Sequence, residues 1–349
     1  MKTLFSTLMI VFGVAINSTA GTPADTAEPA SFIPSHITVI KKNGLNHEID
    51  RHIYTEIAQS RKNAPVILLL NGLIYDITRW DKVAYALVEK GFTVIRMSFS
   101  AQPESLLLNA TNEPPVFMSK GLSLATLAED VLLTLNHHDI QSPVTLVGLS
   151  YGAAPATEFA KLHPDRVQDL VLLSPLVVPL DNYNFAGQPV RAFLDGIRFW
   201  ESTSCMAYGW LNPWLCSQSE YWYDSFYNLI YQNFLFAQIT STPSGLDPTL
   251  YKKSVFHLVR AVRDYDLRTE ASLLRNVHIA IASEDEPNLK QDQKRTWRAL
   301  PLKEKKSFTE FVGVHHALPD EAPEATSRLL ETIANRDTSH QDGAEFIVK

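Results

Sequence analysis

A five-residue motif most strongly constrains what this chain can fold into. Gly-Leu-Ser-Tyr-Gly at positions 148–152 directly follows the apolar run 143–147, and a helix-like stretch follows at 153–163. A serine between a strand and a helix lies on a sharp turn, and a glycine on either side lets that turn close without a Cβ clash. The amides at the start of the new helix face any negative charge that develops there. This context predicts a nucleophile elbow with an exposed Ser150 hydroxyl.

Predicted strands alternate with predicted helices through most of the chain. Strand-like runs lie at 65–70, 92–97, 143–147, 167–173, 277–282 and 307–312, and helical spacing occurs at 80–90, 122–136, 153–163, 291–300 and 323–333. An antiparallel hairpin is predicted before them, from 36–40 and 49–57. Strands and helices at this interval are typical of the α/β fold class, with a mostly parallel central sheet flanked by helices.

The N-terminal sequence indicates export. Lys2 precedes an apolar stretch at 4–16 and small residues at 18–20, so we expect a signal peptide (1–20) cleaved near Ala20 and a secreted or periplasmic protein. The stretch is short for a membrane span, which needs about 20 apolar residues, so no stable span is expected after cleavage. An uncleaved N-terminal anchor is the alternative. Residues 21–34 are rich in Pro, Ala, Thr and Ser and predict a linker.

Charge and cysteine content narrow the classes of partner. The formal net charge is -7 and no run of Lys or Arg is present, so neither nucleic acid nor an anionic membrane surface is expected as a partner. Cys205 and Cys216 would meet an oxidising compartment after export, which favours a disulfide over two free thiols. No further Cys or His lies at ligand spacing near them, so no metal site is expected.

A serine hydroxyl needs a base within hydrogen-bond reach, and the base needs an acid to orient it. Two adjacent histidines, His315 and His316, follow the last predicted strand. Three consecutive acidic residues at 284–286 follow the strand before it. The chain therefore carries candidates for all three roles in the order serine, acid, histidine.

Over residues 35–335 the chain resembles the α/β-hydrolase superfamily. The resemblance rests on Asn71-Gly72 after a strand with Trp80 downstream, the Ser150 elbow, the acid loop 283–287, and His316 with its acidic, proline-containing tail. It implies a hydrolase core at 35–180 and 266–335 and a polar tail at 336–349. Residues 181–265 hold more than half of the chain's aromatic residues and stand where this family inserts a helical cap.

The resemblance also implies roles for single residues. In the family, four residues separate the histidine from a glutamate that is followed by x-Pro-Glu. This spacing fits His316 as the base, with Glu321 and Pro323-Glu324, while His315 stands where a glycine is usual. The family's acid is the third residue after a glycine, and the third residue after Ser283 is Glu286. We therefore expect Glu286 as the acid. Asp285, one residue out of register, and Asp181, after an earlier strand, are the alternatives.

Two backbone amides would bind the oxyanion in this family. The resemblance places one at Tyr151, just after the nucleophile, and the other at Leu73, in the loop after the strand at 65–70. Asn71 stands where the family has a histidine. This change should matter little, because a backbone amide and not this side chain binds the oxyanion. The loop 98–105 lacks the aspartate and two glycines of many relatives, which indicates a divergent subfamily.

These observations predict an exported serine hydrolase. The resemblance implies cleavage of carboxylic esters (an EC 3.1.1-like reaction) through an acyl-enzyme, without metal or cofactor. The aromatic cap favours a small hydrophobic ester with an apolar acyl or alkyl group, although ordinary packing of the cap core explains any single aromatic residue equally well. The same triad could serve a thioesterase, a peptidase, an acyltransferase or a cofactor-free peroxidase, and a catalytically silent binding protein of this fold is the alternative from another class.

Overall fold

The computed structural model describes residues 31–43, 46–108, 122–178, 239, 241–270, 273–301, 305–336 and 344–348. Within these residues, strands join side by side into one sheet in the order β1-β2-β4-β3-β5-β6-β7-β8-β9. The strands are β1 (Ile33–Asn43), β2 (Asn46–Gln59), β3 (Val66–Leu70), β4 (Thr93–Ser98), β5 (Val144–Leu149), β6 (Val167–Leu173), β7 (Val277–Ala282), β8 (Lys305–Phe311) and β9 (Ala344–Val348).

Strands β3 to β9 run parallel to one another, whereas β2 runs antiparallel to both of its neighbours, β1 and β4. The predicted hairpin and the predicted mostly parallel sheet are therefore confirmed. Apolar runs without polar alternation suit the central strands because helices cover both faces of a parallel sheet.

Strand β3 shows how the two faces are filled. Leu68 and Leu70 belong to the hydrophobic core on one face, and Ile67 and Leu69 belong to the core on the other. Successive side chains of a strand point to opposite faces, so every residue of this strand is buried.

Helices pack on both faces of the sheet. The α-helices are α1 (Asp81–Glu89), α2 (Pro103–Leu107), α3 (Leu124–His137), α4 (Ala153–Leu162), α5 (Pro248–Ala261), α6 (Leu267–Glu270), α7 (Pro287–Ala299), α8 (Leu318–Glu321) and α9 (Pro323–Ala334). Helices α3 and α4 contribute to the core that holds Leu68, and α1 and α9 contribute to the core that holds Ile67. Among the described residues, no helix is both long and apolar enough to cross a membrane.

Strand order reverses at β3. The chain passes from β3 to β4 on one side and then returns to β5 on the other. Loops that leave β3 and β5 at such a reversal diverge to opposite faces, which opens a crevice at the carboxyl edge of the sheet. The motif at 148–152 lies at this point because it follows β5 directly.

The chain end differs from the sequence expectation. Residues 336–349 were expected to form a polar tail, but Ala344–Val348 pair in parallel with β8 as strand β9. The indole Nε1 of Trp297 also donates to Glu345 Oε1 at 3.1 Å. The segment Glu-Phe-Ile-Val is rich in β-forming residues, and the edge of β8 offers it unpaired backbone groups.

The described part of the region expected to form a cap packs on the core. The Tyr151 hydroxyl, on the elbow, donates to Leu258 O of α5 at 3.0 Å, and Tyr265 donates to Thr157 Oγ1 at 2.9 Å. These bonds join α5 to the elbow and Tyr265, which follows α5, to α4. The remainder of the expected cap, with Cys205 and Cys216, lies outside the described residues.

A buried histidine lies far from the carboxyl edge of the sheet. His278, near the start of β7, has its Nδ1 2.8 Å from Ser307 Oγ and its Nε2 3.5 Å from Asp169 Oδ1. Burial lowers the pKa of His278 from its usual value, although the Asp169 carboxylate acts in the opposite direction. The folded protein therefore favours the neutral imidazole.

We expect this histidine to make stability depend on pH. Below about pH 6.5 the unfolded chain takes up a proton at His278 that the folded protein resists, so the free energy of unfolding should fall as the pH is lowered from 7 towards 5. His278→Gln should reduce that slope in urea unfolding measured at each pH. The exposed His36→Gln serves as the control, and an unchanged slope in His278→Gln would contradict the assignment.

Candidate active site

The motif at 148–152 forms a tight elbow. Strand β5 ends at Leu149, a single 3₁₀ turn covers Ser150–Gly152, and α4 begins at Ala153. Ser150 has a φ of 53°, in the left-handed region that non-glycine residues rarely adopt. Such strain persists only where the surrounding structure enforces it, and it commonly marks functional sites.

Two glycines allow the elbow to close. A Cβ on Gly148 would lie 2.6 Å from the carbonyl oxygen of Gly152, and a Cβ on Gly152 would lie 2.6 Å from the carbonyl oxygen of Asn71. Both obstacles are backbone atoms, which cannot swing aside as a side chain can. Both glycines are therefore needed for the turn to close, as the sequence predicts, and the elbow presses directly against the end of β3.

The structure brings His316 to the serine. Its Nε2 lies 2.7 Å from Ser150 Oγ, and its side chain is only 13% exposed. The neighbouring His315 is 64% exposed and faces Glu321, whose Oε2 lies 3.0 Å from His315 Nδ1 and also accepts from the His315 amide at 2.9 Å. The two histidines thus differ in environment, and only His316 contacts the elbow.

Asp285, rather than Glu286, contacts this histidine. Asp285 Oδ2 lies 2.8 Å from His316 Nδ1, and its Oδ1 accepts from the Glu286 amide at 2.8 Å. The Asp285 side chain is 4% exposed. A carboxylate on Nδ1 leaves Nε2 free to accept a proton from the serine, which is the tautomer a base requires.

The expectation that the Glu286 carboxylate contacts the histidine is therefore wrong. Its carboxylate turns back to the start of α7, where it accepts from the Leu289 amide at 2.7 Å and from Asn288 Nδ2 at 2.9 Å. A helix start leaves amides without partners, and a side-chain acceptor at the N-cap satisfies one of them. Pro287 signals this helix start in the sequence, because proline favours the first helical position.

The loops that carry the acid and the histidine form one hydrogen-bonded unit. The amides of Ser283 and Glu284 donate to Phe311 O at 2.8 Å and Val314 O at 3.0 Å. In return, the Gly313 amide donates to Ser283 Oγ at 2.8 Å. Ser283, where the resemblance implies a glycine, uses its hydroxyl to join the two loops.

The loop after β3 lies beside the elbow. Asn71 is fully buried, and its Oδ1 accepts from the Trp80 indole at 2.8 Å. Leu73 is half-buried against the core, and Tyr151 is buried with its hydroxyl on Leu258 O. Both expected oxyanion amides thus belong to segments that meet at Gly152, and their role stays a prediction.

An ion pair not foreseen from the sequence joins the loop after β3 to the histidine loop. Arg79 Nη1 lies 2.7 Å from Asp320 Oδ2, and the guanidinium lies 5.0 Å from the centre of the Tyr75 ring. Burial, together with the Asp320 carboxylate, raises the pKa of Tyr75, so its phenol stays neutral near neutral pH. Arg79 and Asp320 are far apart in the chain, so no local sequence pattern predicts this ion pair.

The described residues contain no group of three or more His, Cys, Asp or Glu side chains arranged to hold a metal ion. The alternative acid Asp181 lies outside the part of the chain that the structure describes. Within the described part, Ser150, His316 and Asp285 form one continuous hydrogen-bonded chain at the carboxyl edge of the sheet.

Known proteins that are similar to this chain share the alpha/beta hydrolase fold. A family model for the alpha/beta hydrolase fold matches residues 65–204. A Haemophilus influenzae protein named "Putative esterase/lipase" is 25% identical over 152 residues, which cover 44% of this chain and 46% of that protein. The match therefore spans about half the length of this relative.

Solved structures share the fold. An esterase from Thermogutta terrifontis superposes with a TM-score of 0.55 at 17% identity, covering 86% of this chain and 98% of that one. A bromoperoxidase from Bacillus anthracis superposes with a TM-score of 0.54 at 18% identity, covering 86% and 100%. Likeness at these identities concerns the fold alone. Together with the family model over residues 65–204 and the mostly parallel sheet, it shows that this chain has the alpha/beta hydrolase fold.

Proposed function

We propose that this chain is a serine hydrolase that cleaves carboxylic esters, an EC 3.1.1-like activity. The observation that carries the proposal is the continuous hydrogen-bonded chain from Ser150 Oγ through His316 to Asp285. Nucleophile, base and orienting acid are each within 2.8 Å of the next group, as acyl transfer through a serine requires. The esterase/lipase name of the Haemophilus influenzae relative supports the same reaction class.

The first half of the reaction acylates the serine. Ser150 Oγ attacks the ester carbonyl carbon while His316 Nε2 takes the hydroxyl proton. Asp285 stabilises the resulting imidazolium through Nδ1. The carbonyl oxygen becomes an oxyanion, which the amides of Leu73 and Tyr151 would bind. The tetrahedral intermediate then collapses, the bond to the alcohol oxygen breaks, and His316 gives its proton to the departing alcohol.

The second half releases the acid. A water molecule loses a proton to His316 and attacks the acyl carbon, which forms a second tetrahedral intermediate at the same oxyanion site. When this intermediate collapses, the bond to Ser150 Oγ breaks and His316 returns the proton to the serine. The products are a carboxylic acid and an alcohol, and the enzyme regains its starting state.

The preference for an apolar acyl or alkyl group is part of this proposal. Its support is the density of aromatic residues at 181–265. Three of these residues, Tyr251, Phe256 and Tyr265, are buried within the described structure. The proposed apolar pocket therefore rests on the aromatic residues before position 239, which lie outside the described residues. Export to the periplasm or the medium is also part of the proposal, and its support is the N-terminal sequence at 1–20.

Hydrolysis of p-nitrophenyl esters from acetate to palmitate tests the reaction class. We expect turnover that Ser150→Ala abolishes, because the alanine cannot form an acyl-enzyme. An optimum at longer chains would support an apolar pocket. If the folded protein hydrolyses no ester in the series and also resists labelling by a fluorophosphonate, a catalytically silent binding protein becomes the better reading.

A pair of isosteric substitutions tests which carboxylate serves the histidine. Asp285→Asn removes the charge on His316 Nδ1 and should lower kcat by roughly 10⁴-fold. Glu286→Gln keeps an oxygen acceptor for the Leu289 amide and should leave ester turnover close to that of the unmodified enzyme. Thermal unfolding of both variants checks that they are folded. A large loss of kcat in Glu286→Gln with little effect of Asp285→Asn would reverse the assignment.

A further inference from the structure

A buried glutamine on a neighbouring loop holds the segment expected to bind the oxyanion. Gln102 is fully buried just after β4. Its Nε2 donates to the carbonyl oxygen of Gly72 at 2.7 Å, and its Oε1 accepts from the Phe99 amide at 3.1 Å. Because the Phe99 amide can only donate, the oxygen of the side chain must face it and the NH₂ group must face Gly72.

The carbonyl that Gln102 holds belongs to the same peptide unit as the Leu73 amide. A peptide unit is planar, and in the trans form its C=O and N–H point in opposite directions. No described peptide bond is cis. Fixing the direction of the Gly72 carbonyl therefore also fixes the direction of the Leu73 N–H.

This peptide has few other constraints on its orientation. The Gly72 carbonyl also accepts from the Tyr75 amide, but at 3.4 Å, a long and therefore weak bond. Gly72 has no side chain of its own to restrict rotation of the peptide. The bond from Gln102 is the shorter of the two, and both of its partners are buried.

Gln102 itself is firmly placed. Its backbone amide donates to Phe99 O at 2.7 Å, and its carbonyl accepts from the Leu106 amide of α2 at 2.9 Å. The Ser254 hydroxyl of α5 donates to the adjacent carbonyl of Ala101. The residues after β4, helix α2 and, through Ala101, helix α5 thus hold Gln102 in place. Gln102 in turn holds the loop after β3.

We propose that Gln102 is a positioning residue for ester hydrolysis, which acts by aiming the Leu73 N–H at the developing oxyanion. The inference rests on the proposed function, since it assigns Gln102 to that reaction. The neighbouring segment lies against the elbow, because the Asn71 carbonyl is the atom that a Cβ on Gly152 would meet. A donor there contributes only if its direction is fixed before the reaction.

Two substitutions isolate this role. Gln102→Glu keeps an acceptor for the Phe99 amide but replaces the donor to Gly72 with a carboxylate, and Gln102→Met removes both hydrogen bonds at similar length. In each we expect kcat for a p-nitrophenyl ester to fall about 10- to 100-fold with KM unchanged, because a misdirected donor weakens transition-state stabilisation alone. The pH midpoint of kcat/KM should stay the same because His316 is untouched.

A trifluoromethyl ketone provides an independent measurement. Its adduct with Ser150 carries an oxyanion in the place of the reaction intermediate, so its inhibition constant should rise by about the same factor as kcat falls. Ser100→Ala is the matched control: Ser100 is buried on the same loop, and its hydroxyl donates to Asp130 Oδ2 at 2.7 Å without touching Gly72. This variant should show the loss of stability without the loss of kcat.

The outcomes separate the two proposals. Parallel changes in kcat and ketone inhibition in both Gln102 variants, absent in Ser100→Ala, would support the positioning role. Unchanged kcat in folded Gln102 variants, a rise in KM alone, or an equal loss in Ser100→Ala would overturn it while leaving the esterase proposal intact. An unmodified protein that neither hydrolyses esters nor binds the ketone would overturn both.

Discussion

The contact between the elbow and the end of β3 sets the geometry of the whole site. Gly152 lies so close to the Asn71 carbonyl that no Cβ fits between them. Ser150 adopts its left-handed conformation beside this contact, and the loop after β3 lies next to the serine. Reversal of the strand order at β3 makes the contact possible, because β3 and β5 are neighbours in the sheet although β4 separates them in the chain.

The hydrogen-bonded chain Ser150–His316–Asp285 depends on a second set of contacts, which join two loops. Asp285 and His316 come from different loops, and hydrogen bonds between Ser283 and Gly313 and between Glu284 and Val314 hold those loops together. Arg79 then joins the histidine loop to the region after β3 through Asp320. The side chains that could carry the chemistry are therefore placed by residues that take no part in it, as precise orientation of a base requires.

Some positions where this chain departs from the pattern that the resemblance implies have an explanation in the structure. Ser283, in place of glycine, supplies the hydroxyl that binds the Gly313 amide. Asn71, in place of histidine, accepts from Trp80. The loop after β4 lacks the aspartate and glycines of many relatives, and here Gln102 spans from Phe99 to Gly72 instead. These differences from the family pattern leave Ser150 and His316 in place and concern the hydrogen bonds that hold the surrounding loops.

The sequence by itself determined the alternating strands and helices, the elbow at Ser150 and the histidine pair, because each depends on local spacing or periodicity. Only the tertiary structure decided between Asp285 and Glu286. Asp285 and Glu286 are adjacent in the chain, so the sequence allows either carboxylate to face His316. In the structure Glu286 caps the start of α7, and Asp285 faces His316. Strand β9 and the Gln102 contact likewise depend on partners distant in the chain, which no local pattern encodes.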